Sequence, residues 1–245
     1  EKRIELLKKY VDHRIVIFPF EKDWYKNRGV DVFFPGHPII DEWQPAENTE
    51  FIKNLEIDLN NLILTLYPGS REQEFSKHFP LFLESASTIR SQIKDLKVIL
   101  GCAQSIDLTP YKKIIPKWLE IERKKPQKSL EVATAAIIAS GTSTLEAAVY
   151  GTPGVVVYKL SQISWWLSKL FVKVKFAGMV NLIANKEIMP EFLQEKATSQ
   201  NISKEILSLL MDKAKYNDKL AQLKKVKESL GEVGVFDKIS CEILS

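Results

Sequence analysis

Two short stretches carry residue types suited to holding a phosphate. Ser140-Gly141-Thr142-Ser143-Thr144 follows the apolar run Ala135 to Ala139, and Pro68-Gly69-Ser70-Arg71 follows the run Leu62 to Leu66. A strand that breaks into a tight polar turn and then a helix leaves unpaired N–H groups at the positive end of the helix dipole, where an anion is favoured. Gly69 and Gly141 let the backbone approach closely, Ser70, Ser140, Thr142 and Thr144 add hydroxyls, and Arg71 offers a planar fork for two phosphate oxygens. Glu146, about one helical turn on, can accept bonds from sugar hydroxyls. The same letters also suit ordinary turns: Thr142 or Ser143 as helix N-cap with Glu146 as capping-box partner, and PGSR as a surface β-turn with a solvated arginine. Two such turns about 70 residues apart, both at carboxyl ends of strands, can together cradle a diphosphate in the crevice of a parallel sheet.

The elements that must position these turns alternate strand with helix. Residues 135–139, 143–150 and 155–158 read as strand, short helix stopped by Gly151-Thr152-Pro153, and strand, a βαβ unit. Before it come strands at 62–66, 97–101 and 118–121, and a helix after Arg71 expected to break at Pro80. A helical turn near 109–114 and a short helix ending by Ala133 complete that part. The amino end reads as an amphipathic helix over 1–10, strands over Arg14 to Phe20 and Asp31 to Phe34, and a helix over 21–28 between them. Residues 161–176 carry Ile163, Trp166, Leu167, Leu170, Phe171 and Val174 on one helical face. Residues 201–212 and the lysine-rich tail from Lys213 are helical, the tail with Tyr216, Leu220, Leu223 and Leu230 as its apolar stripe. The class is α/β with a parallel sheet. The expected domains are 1–40, the end of an acceptor-side α/β domain; 41–56, a linker; 57–212, a Rossmann-like nucleotide-binding domain; and 213–245, helices returning toward the first domain.

Bulk properties narrow the chemistry. The 245 residues carry a net charge of +4, a mild excess compatible with anionic ligands and giving no indication of nucleic acid. Cys102 and Cys241 lie far apart, and His13, His37 and His78 are scattered, so neither a disulfide framework nor a metal site is expected. No apolar run approaches the roughly 20 residues of a spanning helix. Neither GxxxxGK[ST] nor GxGxxG occurs, which argues against a P-loop or a standard dinucleotide fold. The chain opens on Glu1, and an excised or processed piece is expected.

An ordered set of motifs resembles lipid-A-disaccharide synthase. It comprises Pro19-Phe20-Glu21, Gly36-His37-Pro38, Leu66-Tyr67-Pro68-Gly69-Ser70-Arg71, Ala139-Ser140-Gly141-Thr142-Ser143-Thr144-Leu145-Glu146, Val157-Tyr158-Lys159, Asn181-Leu182-Ile183-Ala184 and Pro190-Glu191-Phe192-Leu193-Gln194. The resemblance implies a GT-B inverting glycosyltransferase that moves 2,3-diacylglucosamine from UDP onto 2,3-diacylglucosamine 1-phosphate (lipid X). The product is the β-1,6 disaccharide of lipid A, UDP is released, and no metal or other cofactor takes part. It implies that Gly69, Ser70 and Arg71 meet the diphosphate, with Ser140, Gly141 and Thr142 on the facing turn. Glu146 would meet the ribose, and Asn181 and Gln194 the donor sugar or its phosphates. This sequence departs from the family at Tyr67 (usually leucine), Val180 (usually proline) and Asn185 (commonly glycine). The family's amino-terminal acceptor domain, and with it the catalytic base, has no counterpart in 1–245. His37 is a base by chemistry alone, and GHP reads rather as a structural turn at the cleft. The chain alone is therefore expected to bind donor without turning over.

The implied enzyme works in the cytoplasm, peripherally on the inner membrane, on acyl-bearing substrates. The Trp165-Trp166 helix with Lys169, Lys173 and Lys175 suits either a bilayer interface or packing on the sheet. With the acceptor domain missing, Tyr216, Leu220 and Leu223 are expected to be exposed or to pair with a second copy in a homodimer. Arg123 reads as a surface arginine, a control for Arg71. The alternatives are a UDP-sugar epimerase of the same fold and a non-catalytic nucleotide-binding module.

Overall fold

A computed structural model describes residues 2–42, 61–159 and 175–244. By its internal contacts the chain separates into two units, one formed by Glu1–Ala46 with Lys224–Ser245 and the other by Glu47–Leu223.

The larger unit is built on six parallel strands: β1 (Ile63–Tyr67), β2 (Lys97–Gly101), β3 (Leu119–Glu122), β4 (Ala135–Ala139), β5 (Gly154–Tyr158) and β6 (Glu191–Leu193), in spatial order β3-β2-β1-β4-β5-β6. The central strands ILTLY, AAIIA and GVVVY are apolar at nearly every position, and β4 is buried along its whole length. That is the pattern of strands covered on both faces. Leu64 pairs with Val98 on one side and Ala135 on the other, and Ala136 pairs with Gly154. A side chain at Gly154 would collide with the carbonyl of Ala136, so the start of β5 admits only glycine.

Helix α4 (Glu72–Gln92) covers one face through Phe75, Phe79, Phe82, Ala86 and Ile89. Each large side chain buried this way contributes about 1.5–3 kcal/mol. The expected break at Pro80 does not occur: the helix runs straight through it. Pro80 faces solvent while its neighbours bury three phenylalanines, and that burial outweighs one missing backbone hydrogen bond of about 3 kcal/mol. Helix α8 (Ser199–Met211) lies beside α4, with Ser203 Oγ donating to the Ser85 carbonyl at 3.1 Å. Between them in sequence come α5 (Lys128–Glu131), α6 (Ser143–Tyr150) and α7 (Met179–Ala184). Strand β6 was not expected; three residues give too short a run to read. The apolar helix expected over 161–176 falls almost wholly outside the described residues, as does most of the expected linker.

The smaller unit contains α1 (Lys2–Tyr10), α2 (Pro19–Lys26), α3 (Ile39–Glu42) and α10 (Val235–Leu244); α9 (Lys213–Ser229) spans the division between the units. The strands expected over 14–20 and 31–34 reduce to one parallel bridge, Ile15 to Phe33. The Arg14 guanidinium is drawn to the Leu7 carbonyl at 2.9 Å, and Pro19 opens α2, so the extended run ends early. Gly36 and Gly231 meet so closely that a Cβ on Gly231 would lie 2.9 Å from the Gly36 Cα. His37 N–H donates to the Leu230 carbonyl at 2.7 Å, and the Ile39 N–H donates to His37 Nδ1 at 3.1 Å. In this unit, then, GHP is a structural turn. Leu223, expected to be exposed or paired with a second copy, is buried within the single chain, and Tyr216 and Leu220 are half-buried.

Candidate functional site

The chain leaves β1 toward β2 on one side of the sheet and reaches β4 on the other, so the strand order reverses between β1 and β4. In an open parallel sheet, ligands bind outside the carboxyl ends of the strands at this switch. The two candidate turns follow these two strands.

Gly69 has φ +103, and a Cβ there would sit 3.7 Å from Ala139 Cβ and 3.0 Å from Glu74 Oε2. The turn 68–71 therefore faces the last residue of β4, one residue before Ser140. Gly141 has φ +144 with nothing within 4 Å of where a Cβ would be, so glycine is required for the backbone angle and the space in front is open. No acceptor among the described residues takes the N–H groups of Gly69, Ser70 and Arg71, or those of Gly141, Thr142 and Ser143. Two adjacent turns thus present six backbone donors at the mouths of α4 and α6.

The side chains divide into those that face outward and those that build the turns. Arg71 is 82% exposed and paired through Nη1 with Glu74 Oε1 at 3.1 Å. Its charge reaches Tyr158 at the end of β5: burial pushes that phenol up, Glu74 adds to the shift and Arg71 opposes it. Ser70 and Thr142 are exposed. Ser140 Oγ instead donates to the Ala177 carbonyl at 2.7 Å, and Thr144 Oγ1 donates to the Gly141 carbonyl at 2.8 Å while accepting from Val180 N–H at 3.3 Å. Of the hydroxyls expected to point at a phosphate, these two tie the turn to the chain entering α7. Helix α6 begins at Ser143 without a side-chain cap, so the capping-box reading with Glu146 is not what the helix uses. Glu146 Oε2 accepts from the Tyr67 hydroxyl at 2.9 Å. Burial and the adjacent carboxylate hold that phenol far above its usual range, so it remains a donor.

Asn181 does not face the cleft with free groups. It is fully buried: Nδ2 donates to the Met189 carbonyl at 2.6 Å and to Glu191 Oε1 at 2.8 Å, and Oδ1 accepts from the N–H groups of Ile188 and Met189. Gln194, following β6, has φ +50 and a buried Nε2 with no partner among the described residues. A strained non-glycine residue with an unsatisfied donor is the kind of position a ligand completes.

Three further residues build the site. Glu191 accepts from Ala177 N–H and Gly178 N–H at 2.8 and 2.9 Å, fixing the start of α7. Its place in the Pro190-to-Gln194 motif was a signal, though one that pointed to the sugar. His78 joins the Pro68 carbonyl to the Lys159 N–H; nothing in an apolar helical stripe marks it. Arg123 is not a free surface arginine: it donates to the carbonyls of Gln104 and Ile106 at 2.9 and 2.6 Å, bracing a loop whose Ser105 hydroxyl reaches the Ser70 carbonyl at 3.4 Å. Among the described residues no group of three His, Cys, Asp or Glu side chains is arranged to hold a metal ion, and no helix is long and apolar enough to cross a membrane.

The model of the lipid-A-disaccharide synthetase family matches residues 1–238. The lipid-A-disaccharide synthase of Coxiella burnetii is 36% identical over 209 residues, which cover 85% of this chain and 56% of that protein. Among solved structures, the UDP-GlcNAc 2-epimerase from Neisseria meningitidis bound to UDP-GlcNAc superposes with a TM-score of 0.63 at 12% identity, over 95% of this chain and 61% of that one. The calicheamicin glycosyltransferase CalG4 gives 0.59 at 15% identity, over 99% of this chain and 60% of that one. At such identities the likeness concerns the fold, here the α/β architecture shared by glycosyltransferases and epimerases. The chain spans 56% to 65% of the length of the curated relatives it matches.

Proposed function

The chain belongs to the lipid-A-disaccharide synthetase family, and on that premise we propose that it is the UDP-sugar-binding part of an inverting glycosyltransferase. The whole enzyme transfers 2,3-diacylglucosamine from UDP to 2,3-diacylglucosamine 1-phosphate, forming the β-1,6 disaccharide of lipid A and releasing UDP. The observation that carries this reading is the pair of turns at the strand-order switch, with Gly69 facing the end of β4 at Ala139 and six backbone N–H groups unclaimed among the described residues.

Departure of UDP develops negative charge on its β-phosphate. Oriented N–H groups that need no reorganisation stabilise such charge most effectively. In this reading the N–H groups of residues 69–71 and 141–143 surround the diphosphate, with Ser70 and Thr142 adding hydroxyl donors. Arg71 swings from Glu74 to the phosphate oxygens. Glu146, oriented by Tyr67, meets the ribose hydroxyls, and Gln194 Nε2 donates to the sugar or its phosphate. Ser140 and Asn181 serve by holding the backbone. The general base that takes the acceptor hydroxyl proton is not assigned to any residue of this chain. The acyl chains of both substrates argue for work at the cytoplasmic face of the inner membrane.

Titration of UDP into the chain by calorimetry tests the reading. Arg71→Ala is expected to lower affinity by about 10- to 100-fold, the worth of a charged hydrogen-bonding group. Lys204→Ala, a change at an exposed lysine of α8, leaves it unchanged. Equal affinities for the two variants overturn the assignment.

A further inference from the structure

A fully buried histidine spans the site from behind. Phe75, His78, Phe79 and Phe82 lie on the face of α4 that packs on the sheet, and His78 has no exposed surface. Its ring lies 5.7 Å from that of Phe82. At such a position an apolar side chain avoids the cost of burying polar nitrogens. The two nitrogens are instead used on two different turns. The Lys159 N–H donates to Nε2 at 3.0 Å, and Nδ1 lies 3.3 Å from the Pro68 carbonyl. A backbone N–H only donates and a carbonyl only accepts, so the hydrogen-bond pattern itself fixes the tautomer: Nε2 bare, Nδ1 protonated.

Pro68 precedes Gly69 in the turn after β1. Lys159 follows Tyr158, the last residue of β5 and the phenol that senses Arg71 and Glu74. In the sheet β4 lies between β1 and β5, so one ring links the backbones on either side of the strand that delivers Ser140 and Gly141. Resting on the reading of these turns as a diphosphate site, we propose that His78 is a positioning residue whose neutral ring latches the 68–71 turn to the end of β5, and that acid opens the latch and weakens nucleotide binding.

Protonation puts a second N–H on Nε2, facing the Lys159 N–H, and two donors cannot bond. The groups around the ring set how readily this happens. Burial is the largest influence and lowers the pKa; the Pro68 carbonyl and the Glu74 carboxylate oppose it, and the ammonium groups of Lys159 and Lys77 reinforce it. The ring is therefore neutral at physiological pH, and the latch opens only below the ordinary histidine range.

UDP affinity of the wild-type chain, His78→Leu and His78→Gln, measured from about pH 8 to about pH 5, tests the latch. UDP titrates in this range too, so the quantity read is the ratio of variant to wild type at each pH. At the upper end His78→Leu is expected to bind about tenfold more weakly, a hydrogen bond's worth of positioning. The ratio should close toward one in acid, as the wild-type ring takes its second proton. His78→Gln, which keeps a donor and an acceptor that do not titrate, should fall between the two and lack the extra acid limb of the wild type. Nitrogen-15 resonances of the wild-type imidazole give a readout that a purely space-filling role would not move: an unprotonated Nε2 and a protonated Nδ1 near pH 8. If His78→Leu fails to fold, the glutamine variant and the imidazole spectrum decide. Wild-type affinity in the variants at every pH, a ratio independent of pH, or a proton on Nε2 near pH 8 overturns the latch. If wild type binds UDP and Arg71→Ala does not, while the His78 variants match wild type, only the latch falls. If wild type binds no UDP, the nucleotide reading falls and takes the latch with it.

Discussion

Tyr67, read from the sequence as a departure from leucine, does something a leucine cannot. Its hydroxyl holds Glu146 Oε2 at 2.9 Å. The ring occupies space left by Gly101, where a Cβ would lie 2.6 Å from both Tyr67 Cδ2 and Ser129 Oγ. Removing the hydroxyl in Tyr67→Phe takes away one bond that orients the carboxylate of the proposed ribose contact. Expected are a loss of about 1 kcal/mol in urea unfolding and a measurable drop in UDP affinity; an unchanged affinity would detach Tyr67 from nucleotide binding. Gly101→Ala drives a methyl into the ring and the Ser129 hydroxyl, and overpacking of that kind costs about 1–3 kcal/mol. An unfolding midpoint equal to wild type would mean the ring moves aside freely. The sequence made the motif residues legible and left their orientation hidden. Ser140 and Thr142 are both hydroxyl residues of one turn, yet only Thr142 faces outward, because the Ala177 carbonyl claims Ser140. Asn185, read as a departure from glycine, has φ +49 and ends α7; asparagine is among the few residues that accept that backbone.

At the scale of elements, the α/β alternation and five of the six strands were readable, four of them because buried parallel strands are apolar runs bounded by turns and β3 because its residues alternate. Elements decided by packing were not. Whether Pro80 breaks α4 depends on what the helix buries, and its phenylalanines outweigh one lost bond. Strand β6 and helix α7 are too short to announce themselves, and polar side chains hold them. Asn181 fills all four of its hydrogen-bonding positions inside this brace, two of them on Met189. Asn181→Ala would leave several buried partners unsatisfied, at a cost of about 3 kcal/mol or more. Asn181→Asp is expected to be worse, because the NH2 group that donates both bonds becomes one oxygen set against the Met189 carbonyl and the Glu191 carboxylate. Urea midpoints for both variants check the order, and an aspartate variant more stable than the alanine one would show that the brace is not the fully paired network described.

Across the whole molecule, acid acts on the two units through different groups. His78 lies in the larger unit and His37 in the smaller, and burial lowers the pKa of both, opposed at His37 by Glu42. In the unfolded chain each takes a proton near pH 6.5; in the folded chain each does so only at lower pH. Between those values the unfolded chain binds more protons, so the contribution to stability is complete above about pH 6.5 and is lost as pH falls through the depressed values. Asp41, in the smaller unit, responds in the same direction but in a more acidic window. It accepts from Gly234 N–H at 2.7 Å and Phe236 N–H at 2.9 Å, pinning the start of α10. The Phe236 N–H is the largest cause holding its carboxyl below the usual range, with Val235, Gly234 and Lys238 adding to it. Its contribution is intact throughout the histidine window and is lost only in stronger acid. Urea unfolding at about pH 7.5 and about pH 5.5 should therefore give a lower midpoint in acid for wild type, and a smaller difference for His78→Leu. Asp41→Ala should lower both midpoints by similar amounts and speed amide exchange in residues 234–244. A wild-type midpoint that stays level across this interval would mean that neither the buried His78 nor the half-buried His37 resists protonation, and the neutral ring that joins Pro68 to Lys159 would lose its thermodynamic basis.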